Sequence, residues 1–290
     1  MGRVKVYNNT TAAWGYAAAV SAPKRMKAYT AAGTAWHYPV PTAADPTSTG
    51  RLKVWNGAAW ERIEPMPVTY RAAVLALSPI AYWRLGEASG TSAADATGHG
   101  HTGTYVNSPT LGVTGLLTGD ADTAVTCVNP NVYISVPDHA DFDCFEARNP
   151  WTFAVWIDNH TPNADYQRLF RKSAATGPAK VEILSQETSF LIQRYDASGG
   201  YSAVGAAPLT AGRHLVFGTY DGANLRLYLD GAMAAAAAPA TLTLPALAGA
   251  ITFGTDGYWD CFSGTYDEGA VWGRALTSGE IASLWTEGTT

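Results

Sequence analysis

Residues 214–231 read HLVFGTYDGANLRLYLDG, two apolar runs joined by Asp221-Gly222 and followed by Asp230-Gly231. An Asp-Gly pair between strand-forming residues is typical of a tight hairpin, because glycine accepts the positive φ that the turn requires. The stretch therefore predicts two antiparallel strands, at 214–220 and 224–229. Strands joined by so short a turn pair with each other, which favours an antiparallel, all-β fold.

Short runs rich in strand-forming residues recur on both sides of this hairpin. They lie at 80–85, 124–128, 132–136, 151–157, 168–171, 181–185, 190–195, 251–254 and 269–272. Turn residues rather than helices separate them, which excludes a βαβ organisation and favours a two-sheet sandwich or jelly roll. Helical spacing predicts a helix at 70–77, and Thr277-Ser278-Gly279-Glu280 is a capping box that predicts a short C-terminal helix.

Charge and hydropathy exclude several classes of protein. The 290 residues hold 19 Lys and Arg against 24 Asp and Glu, a net charge of −5. Nucleic-acid binding requires clustered basic residues, so we expect no nucleic-acid partner. No apolar run approaches the ~20 residues of a membrane span, so none is predicted. Three cysteines (Cys127, Cys144 and Cys261) cannot all pair within one chain and match no zinc spacing, which indicates buried thiols.

The N-terminal segment contains a degenerate repeat, in which apolar-Lys-apolar-aromatic is followed by a turn and a Trp. Its three copies are 4–7 with Trp14, 26–29 with Trp36, and 52–55 with Trp60. Each copy predicts a β-hairpin, and one hairpin alone is marginally stable in water. We therefore interpret residues 1–66 as an attachment or oligomerisation segment; the alternative is a self-contained β-domain. Prolines at 65 and 67 place the boundary with a second domain, residues 67–290.

Several motifs of the second domain occur in an order found in a known family. They are VLALSPIAYWRLGE at 74–87, DATGHG at 95–100, WTFAVW at 151–156 and DEGAVWGRAL at 267–276. Together they resemble a laminin-G-like, concanavalin A-like jelly roll. The first motif and the repeat at 53–60 also resemble minor tail proteins of phages that infect actinobacteria.

The resemblance implies a protein of the virion, at the tail tip or in a fibre, whose jelly roll adheres to host cell-wall glycan without catalysis. Its expected partners are other phage tail proteins and copies of itself, for which a fibre would suggest a trimer. Two alternatives stay open. One is a structural or decoration component that binds no ligand, and the other is a glycan-degrading enzyme.

The resemblance also implies a structural calcium ion, Ca²⁺, held by Asp95 and Asp267. This chain has His99 and His101 where the family has asparagines, and histidine is a poor calcium ligand. The alternative is that Asp95 forms an Asx turn and Asp267 accepts hydrogen bonds from backbone amides. The motif His99-Gly-His101 on its own is a weak indication of a transition metal.

The best candidate for glycan binding is the run Asp256-Gly257-Tyr258-Trp259-Asp260. Sugars pack a C–H face on an aromatic ring while carboxylates bind their hydroxyls, so we predict Tyr258, Trp259, Asp256 and Asp260 as ligand-binding residues. The alternative is that the rings pack in the core. Other tyrosines expected in loops are Tyr166, Tyr201 and Tyr266. Carboxylate pairs that could serve a glycosidase are Asp141 with Asp143 and Asp267 with Glu268.

Overall fold

A computed structural model describes residues 69–128, 131–158, 166–186, 189–208, 212–235, 238–254 and 262–290, together with the backbone of four short strands near the N-terminus. The chain divides into two compact units, Met1–Pro67 and Val68–Thr290. No helix of the described residues is long and apolar enough to cross a membrane.

Two hairpins are described in the first unit. Strand β1 (Val4–Asn8) pairs with β2 (Ala13–Ala17), and β3 (Lys53–Trp55) pairs with β4 (Trp60–Arg62), both antiparallel. They coincide with the first and third copies of the repeat, as predicted. The second copy lies outside the described residues.

The second unit is built almost entirely of strands. Its helices are α1 (Tyr70–Ala76) and α2 (Ser278–Thr289), with a short 3-10 helix at Ala140–Phe145. Its strands are β5 (Ala81–Trp83), β6 (Ser92–Ala93), β7 (Gly103–Val106), β8 (Thr110–Thr114), β9 (Thr123–Cys127), β10 (Tyr133–Val136), β11 (Trp151–Asp158), β12 (Tyr166–Ser173), β13 (Lys180–Gln186), β14 (Ser189–Tyr195), β15 (Tyr201–Pro208), β16 (His214–Tyr220), β17 (Asn224–Leu229), β18 (Ala232–Met233), β19 (Ala238–Pro239), β20 (Ile251–Phe253) and β21 (Gly264–Trp272).

These strands form two antiparallel sheets. The eight-stranded sheet has the order β15-β14-β13-β12-β20-β10-β7-β6. The nine-stranded sheet has the order β18-β17-β16-β11-β21-β9-β8, with β19 paired to β17 and β5 paired to β21. The predicted fold, a two-sheet jelly-roll sandwich with a short C-terminal helix, is confirmed.

Aromatic side chains from both sheets fill the space between them. Phe153 of the nine-stranded sheet stacks on Phe170 of the eight-stranded sheet, with ring centroids 3.9 Å apart. Trp83 meets Phe253 edge to face at 5.4 Å. All four rings are fully buried, and buried aromatic pairs of this kind dominate core energetics. The sheets are therefore joined by one continuous core.

The second face of the nine-stranded sheet is covered by the two helices. Trp156 and Trp272 point to this side, where Trp156 stacks on Trp285 of α2 and meets Tyr70 of α1 edge to face. Strand β21 is consequently buried at every position. In contrast, β7 and β10 of the eight-stranded sheet alternate between buried and more exposed positions. The outer face of the eight-stranded sheet is thus the sheet surface that carries accessible side chains.

The longest strands that sequence reasoning missed are β7, β8 and β15; the two-residue strands β6 and β18 were missed as well. Strand β15 reads YSAVGAAP, and its alanines and glycine have low strand propensity. It becomes a strand because β14 pairs with it along its length. Tyr201, expected in a loop, is therefore the first residue of an edge strand.

The local predictions fared better. Helix α1 begins after the N-cap Thr69 within the predicted range, and the capping box of α2 is present with both of its hydrogen bonds. Cys127 is a buried thiol and Cys144 a partly buried one, while Cys261 lies outside the described residues.

Candidate functional site

Cross-strand register aligns polar residues from six strands on the outer face of the eight-stranded sheet. The order across the sheet, from β7 to β14, is Thr104, Ser135, Thr252, Arg171, Glu182 and Gln193. Residues directly opposite each other in paired strands point to the same side. Their chain neighbours, such as Ile134 and Phe253, point into the core. We call these six residues the polar row.

A second row lies two residues away on the same strands, because side chains alternate along a strand. It contains Ser173, Lys180, Tyr195 and Tyr201. The rings of Tyr195 and Tyr201 stack, with centroids 5.3 Å apart and planes 25° from parallel. Tyr201 is 64% exposed, so its ring presents a large apolar surface to solvent. We call Tyr195 and Tyr201 the tyrosine pair.

The tyrosine pair is held in place by polar neighbours. The Tyr195 hydroxyl donates to Gln193 Oε1 at 2.9 Å, and the Lys180 ammonium lies 4.6 Å from the Tyr195 ring centroid. A cation at this distance from an aromatic ring is attracted to it. The exposed ring of Tyr201 is therefore backed by a stacked, hydrogen-bonded partner.

A cleft of about 340 Å³ opens on the same face, beside the polar row. Its walls include Tyr133, Ser135, Arg171, Ser173 and Thr252, and the segments 174–177 and 249–250 form its rim. The Thr252 hydroxyl is buried and has no hydrogen-bond partner within the described part of the chain. A buried hydroxyl without a hydrogen-bond partner destabilises the fold. A polar ligand group that enters the cleft and hydrogen-bonds to Thr252 would remove this cost.

Basic groups predominate on this face. Glu182 is buried beneath Arg168 and Lys180, which each donate to one of its carboxylate oxygens at 3.1 Å. Arg171 lines the cleft a short distance away. This face therefore has two basic side chains bound to one carboxylate and a third, Arg171, at the cleft, in a chain whose overall net charge is −5. The local charge favours an anionic ligand.

The four residues predicted to bind glycan lie outside the described residues. Asp256, Tyr258, Trp259 and Asp260 all lie in the interval 255–261, which the structure does not describe, so their assignment stays a prediction. Tyr266 is fully buried and packs edge to face against Phe262, so the expectation that it lies in a loop was wrong.

Sequence reasoning missed the polar row and the cleft. The available signal was polar residues alternating with apolar ones in β10 and β13, but alternation alone does not reveal which strands are neighbours. Arg171 and Thr252 meet because β12 pairs with β20, although 80 positions separate them in the chain.

Asp95, predicted to bind calcium, accepts four hydrogen bonds. Its Oδ1 accepts from the Tyr82 amide at 3.2 Å and from the amide and hydroxyl of Thr97 at 3.0 and 2.7 Å, while Oδ2 accepts from the His101 amide at 3.1 Å. Burial alone would raise the pKa of Asp95, but these donors outweigh it and lower the pKa. This geometry is that of the Asx-turn alternative, since donors already occupy both oxygens.

Asp267, the other predicted calcium ligand, has one oxygen in use. Its Oδ2 accepts from the Leu116 amide at 2.7 Å, whereas Oδ1 is buried and has no partner within the described residues. Burial, and then the adjacent Glu268 carboxylate, raise the pKa of Asp267 to about 8. The unpartnered oxygen suits a cation, so this half of the predicted site fits calcium and the Asp95 half does not.

The two carboxylate pairs considered for glycosidase chemistry differ in accessibility. Asp267 and Glu268 are both buried, and Glu268 is bound by Arg84 and by the hydroxyl of Tyr82. Burial raises the pKa of Glu268 to about 7 despite the Arg84 ion pair. Asp141 and Asp143 are exposed on the 3-10 helix. The buried pair has no direct access to a polymeric substrate.

The described part of the second unit is thus a two-sheet jelly roll with a cleft and an exposed tyrosine ring on one sheet. Residues 129–282, more than half of the chain, match a family model described as the concanavalin A-like lectin/glucanases superfamily. The chain belongs to this superfamily. A comparison with curated protein sequences gives no match.

Similar solved structures are binding domains of clostridial toxins. The binding domain of Paraclostridial Mosquitocidal Protein 1 is 14% identical to this chain, with a TM-score of 0.56. The superposition covers 71% of this chain and 51% of that domain. The botulinum neurotoxin serotype D binding domain is 11% identical with a TM-score of 0.57, at 74% and 52% coverage. The serotype D ligand-binding domain in complex with N-acetylneuraminic acid is 12% identical with a TM-score of 0.57, at 74% and 52% coverage. The chain therefore spans about half the length of these structures, and the likeness concerns the fold.

Proposed function

We propose that the jelly roll is an adhesion module that binds an acidic glycan of the host cell wall on its outer face. The observation that carries this proposal is the exposed Tyr201 ring, stacked on Tyr195, on the same sheet surface as the cleft lined by Arg171. Small-molecule sites combine apolar contact surface with a few well-placed polar groups, and this surface offers both. The solved relative bound to N-acetylneuraminic acid, an acidic sugar, supports the choice of ligand class.

The size of the surface favours an oligosaccharide over a single sugar. Ser173 at the cleft and Tyr201 at the sheet edge lie in the same row, three strand spacings apart. At ~4.8 Å per spacing, the distance between them is about 14 Å. A chain of several sugars would reach from the cleft, where Arg171 binds an acidic group, to the ring of Tyr201.

The biological context of this proposal rests on the sequence resemblance to minor tail proteins. We propose that the chain is a minor tail protein of a phage that infects actinobacteria, located at the tail tip or in a fibre. Residues 1–66 attach it to other tail proteins or to copies of itself. Weak glycan sites repeated around such an assembly gain avidity through effective concentration.

The direct test is binding of the full chain to purified actinobacterial cell walls and to the acidic and neutral glycans released from them. We expect Tyr201→Ala to weaken binding about two- to twelvefold, from a ring contact of about 0.5–1.5 kcal/mol. The matched control is Met233→Ala, which removes an exposed apolar side chain from the other sheet. Both variants should keep the melting temperature, because both side chains are largely exposed.

The outcomes separate the three function classes. Retention on walls that weakens with salt and with Tyr201→Ala supports the proposal. No retention at any useful concentration would favour a structural tail component. Release of reducing sugars from the walls would favour the enzyme, which the notable burial of Asp267 and Glu268 disfavours.

Calcium at Asp267 is a separate proposal with its own readout. It rests on the buried, unpartnered Oδ1 of that residue. Calcium should raise the melting temperature of the EDTA-treated chain and should have no such effect on Asp267→Asn. An equal response of both proteins would place any calcium elsewhere.

Self-association through residues 1–66 is tested by sedimentation of the full chain. The fibre resemblance leads us to expect a trimer. A monomer at all concentrations would contradict the oligomerisation role and leave attachment to other tail proteins.

A further inference from the structure

Two histidines and an aspartate converge at the start of the 3-10 helix. His101 lies just before β7, and His139 and Asp141 lie at the start of the 3-10 helix. His101 Nε2 is 2.9 Å from Asp141 Oδ2, and His139 Nδ1 is 3.3 Å from the same oxygen. All three ligand atoms lie within 4.8 Å of one another. Within the described residues, this is the one group of three such side chains that could hold a metal ion.

The two exposed residues of this group are in contact through both backbone and side chain. His139 Nδ1 accepts a hydrogen bond from the Asp141 amide at 3.2 Å, so in this arrangement Nδ1 carries no hydrogen. It nevertheless faces the Asp141 carboxylate oxygen at 3.3 Å. Two acceptor atoms at this distance repel each other unless a positive charge lies between them. A cation bound between these two atoms would be coordinated by both, and it would replace the Asp141 amide at the one lone pair of His139 Nδ1.

His101 is held in position before any ion binds. Its side chain is 4% exposed, and its ring contacts those of His139 and Phe142, with centroids 4.8 Å away in each case. Its amide donates to Asp95 at 3.1 Å, and its carbonyl accepts from Trp83 Nε1 at 2.6 Å. The Asx turn of Asp95 therefore fixes the backbone that carries this ligand.

The other two ligands are accessible and adjustable. The side chains of His139 and Asp141 are 55% and 49% exposed. A tetrahedral zinc site with bonds of ~2.0–2.1 Å requires ligand atoms about 3.4 Å apart. The widest pair here must therefore close by at most about 1.4 Å from 4.8 Å, a movement that an exposed imidazole can make by rotation.

We propose that His101 Nε2, His139 Nδ1 and Asp141 Oδ2 bind a divalent transition-metal ion of the zinc class. Two imidazoles and one carboxylate suit zinc, whereas calcium prefers oxygen ligands alone. Three protein ligands leave a fourth coordination position, which faces solvent because two of the three ligands are exposed. None of its three ligands belongs to the calcium site predicted at Asp95 and Asp267, to the polar row or to the tyrosine pair.

The test is zinc titration of the full, untagged and metal-stripped chain, followed by calorimetry and by competition with a chromophoric zinc chelator. We expect one zinc per chain, and Co²⁺ in place of zinc should give the absorption of a tetrahedral site. Removing a residue that only hydrogen-bonds to a metal ligand typically lowers metal affinity about 10–100-fold. His139→Ala and Asp141→Asn each remove a ligand itself, so each should lower zinc affinity at least about 100-fold.

Controls keep the result interpretable. His214→Ala is the matched variant, because it removes a histidine from another His–Asp pair, in which His214 Nδ1 lies 2.7 Å from Asp230 Oδ2. It should leave zinc affinity unchanged. His139 and Asp141 are exposed, so their variants should fold, as melting curves will verify. Zinc binding only at millimolar concentration, or tight binding that survives both substitutions, would overturn the proposal.

Discussion

The substitution Glu280→Gln should destabilise the C-terminal helix at neutral pH and lose its effect in acid. Glu280 accepts from the Thr277 amide at 2.7 Å and the Thr277 hydroxyl at 2.9 Å, which completes the capping box. Arg274 donates to both of its carboxylate oxygens, at 3.0 and 2.7 Å. Glutamine keeps the shape and an acceptor but removes the charge. Glu280 caps helix α2, whose Trp285 stacks on Trp156 of the nine-stranded sheet. Unfolding of α2 would therefore expose a buried face of that sheet.

The magnitude follows from these contacts. The Arg274 hydrogen bonds lower the pKa of Glu280 to about 2, while partial burial opposes the shift. A carboxyl with a lowered folded-state pKa stabilises the fold above its ordinary pKa of ~4.3, and this contribution is lost as the pH falls through the folded-state pKa. Because the ion pair is largely accessible to solvent, we discount the full shift and expect about 1 kcal/mol at neutral pH.

The assay is urea unfolding of the full chain and its variants from neutral pH down to about pH 3. The difference between the wild type and Glu280→Gln should be about 1 kcal/mol near pH 7 and should shrink below about pH 4. The matched control is Glu287→Gln, the same change on the last turn of the same helix. A difference that stays constant across this range, or equals that of the control, would refute the argument from the Arg274 ion pair.

Two further predictions concern the core. Gly269→Ala places a Cβ 2.5 Å from the ring of Phe253 and should lower the free energy of unfolding by about 1–3 kcal/mol. The control Gly205→Ala brings its Cβ only to 3.7 Å from Leu191 and should change that free energy by no more than ~0.5 kcal/mol. Equal effects of the two variants in urea unfolding would contradict the packing at Gly269. Asp267→Asn removes a carboxyl whose raised pKa makes folding less favourable as the pH rises from ~4 towards about 8. With EDTA present, the free energy of unfolding of the variant should therefore rise relative to that of the wild type by up to about 1.4 kcal/mol per pH unit in this interval. If the free energies of the two proteins change in parallel with pH, the carboxyl of Asp267 is not buried in its neutral form.

The sequence by itself determined the features that depend on neighbouring residues. The Asp-Gly turns give the hairpin of β16 and β17, with Gly222 and Gly231 at positive φ. The capping box starts α2, and β5 and β11 lie within or closely match the predicted runs 80–85 and 151–157. Such features are readable because a turn, a cap and an alternating strand each depend on residues a few positions apart.

Only the tertiary structure decided which distant residues share a surface. Thr252, Arg171 and Glu182 form one row because β20, β12 and β13 are neighbours, and strand order is not contained in local periodicity. Tyr201 lies on the same face, in the second row, on a strand that its own composition does not favour. The metal-binding trio likewise depends on a loop at residue 101 meeting a turn at 139–141. Pairing register and loop packing are set by burial across the whole sandwich, so they exist only once the two sheets have closed on their common core.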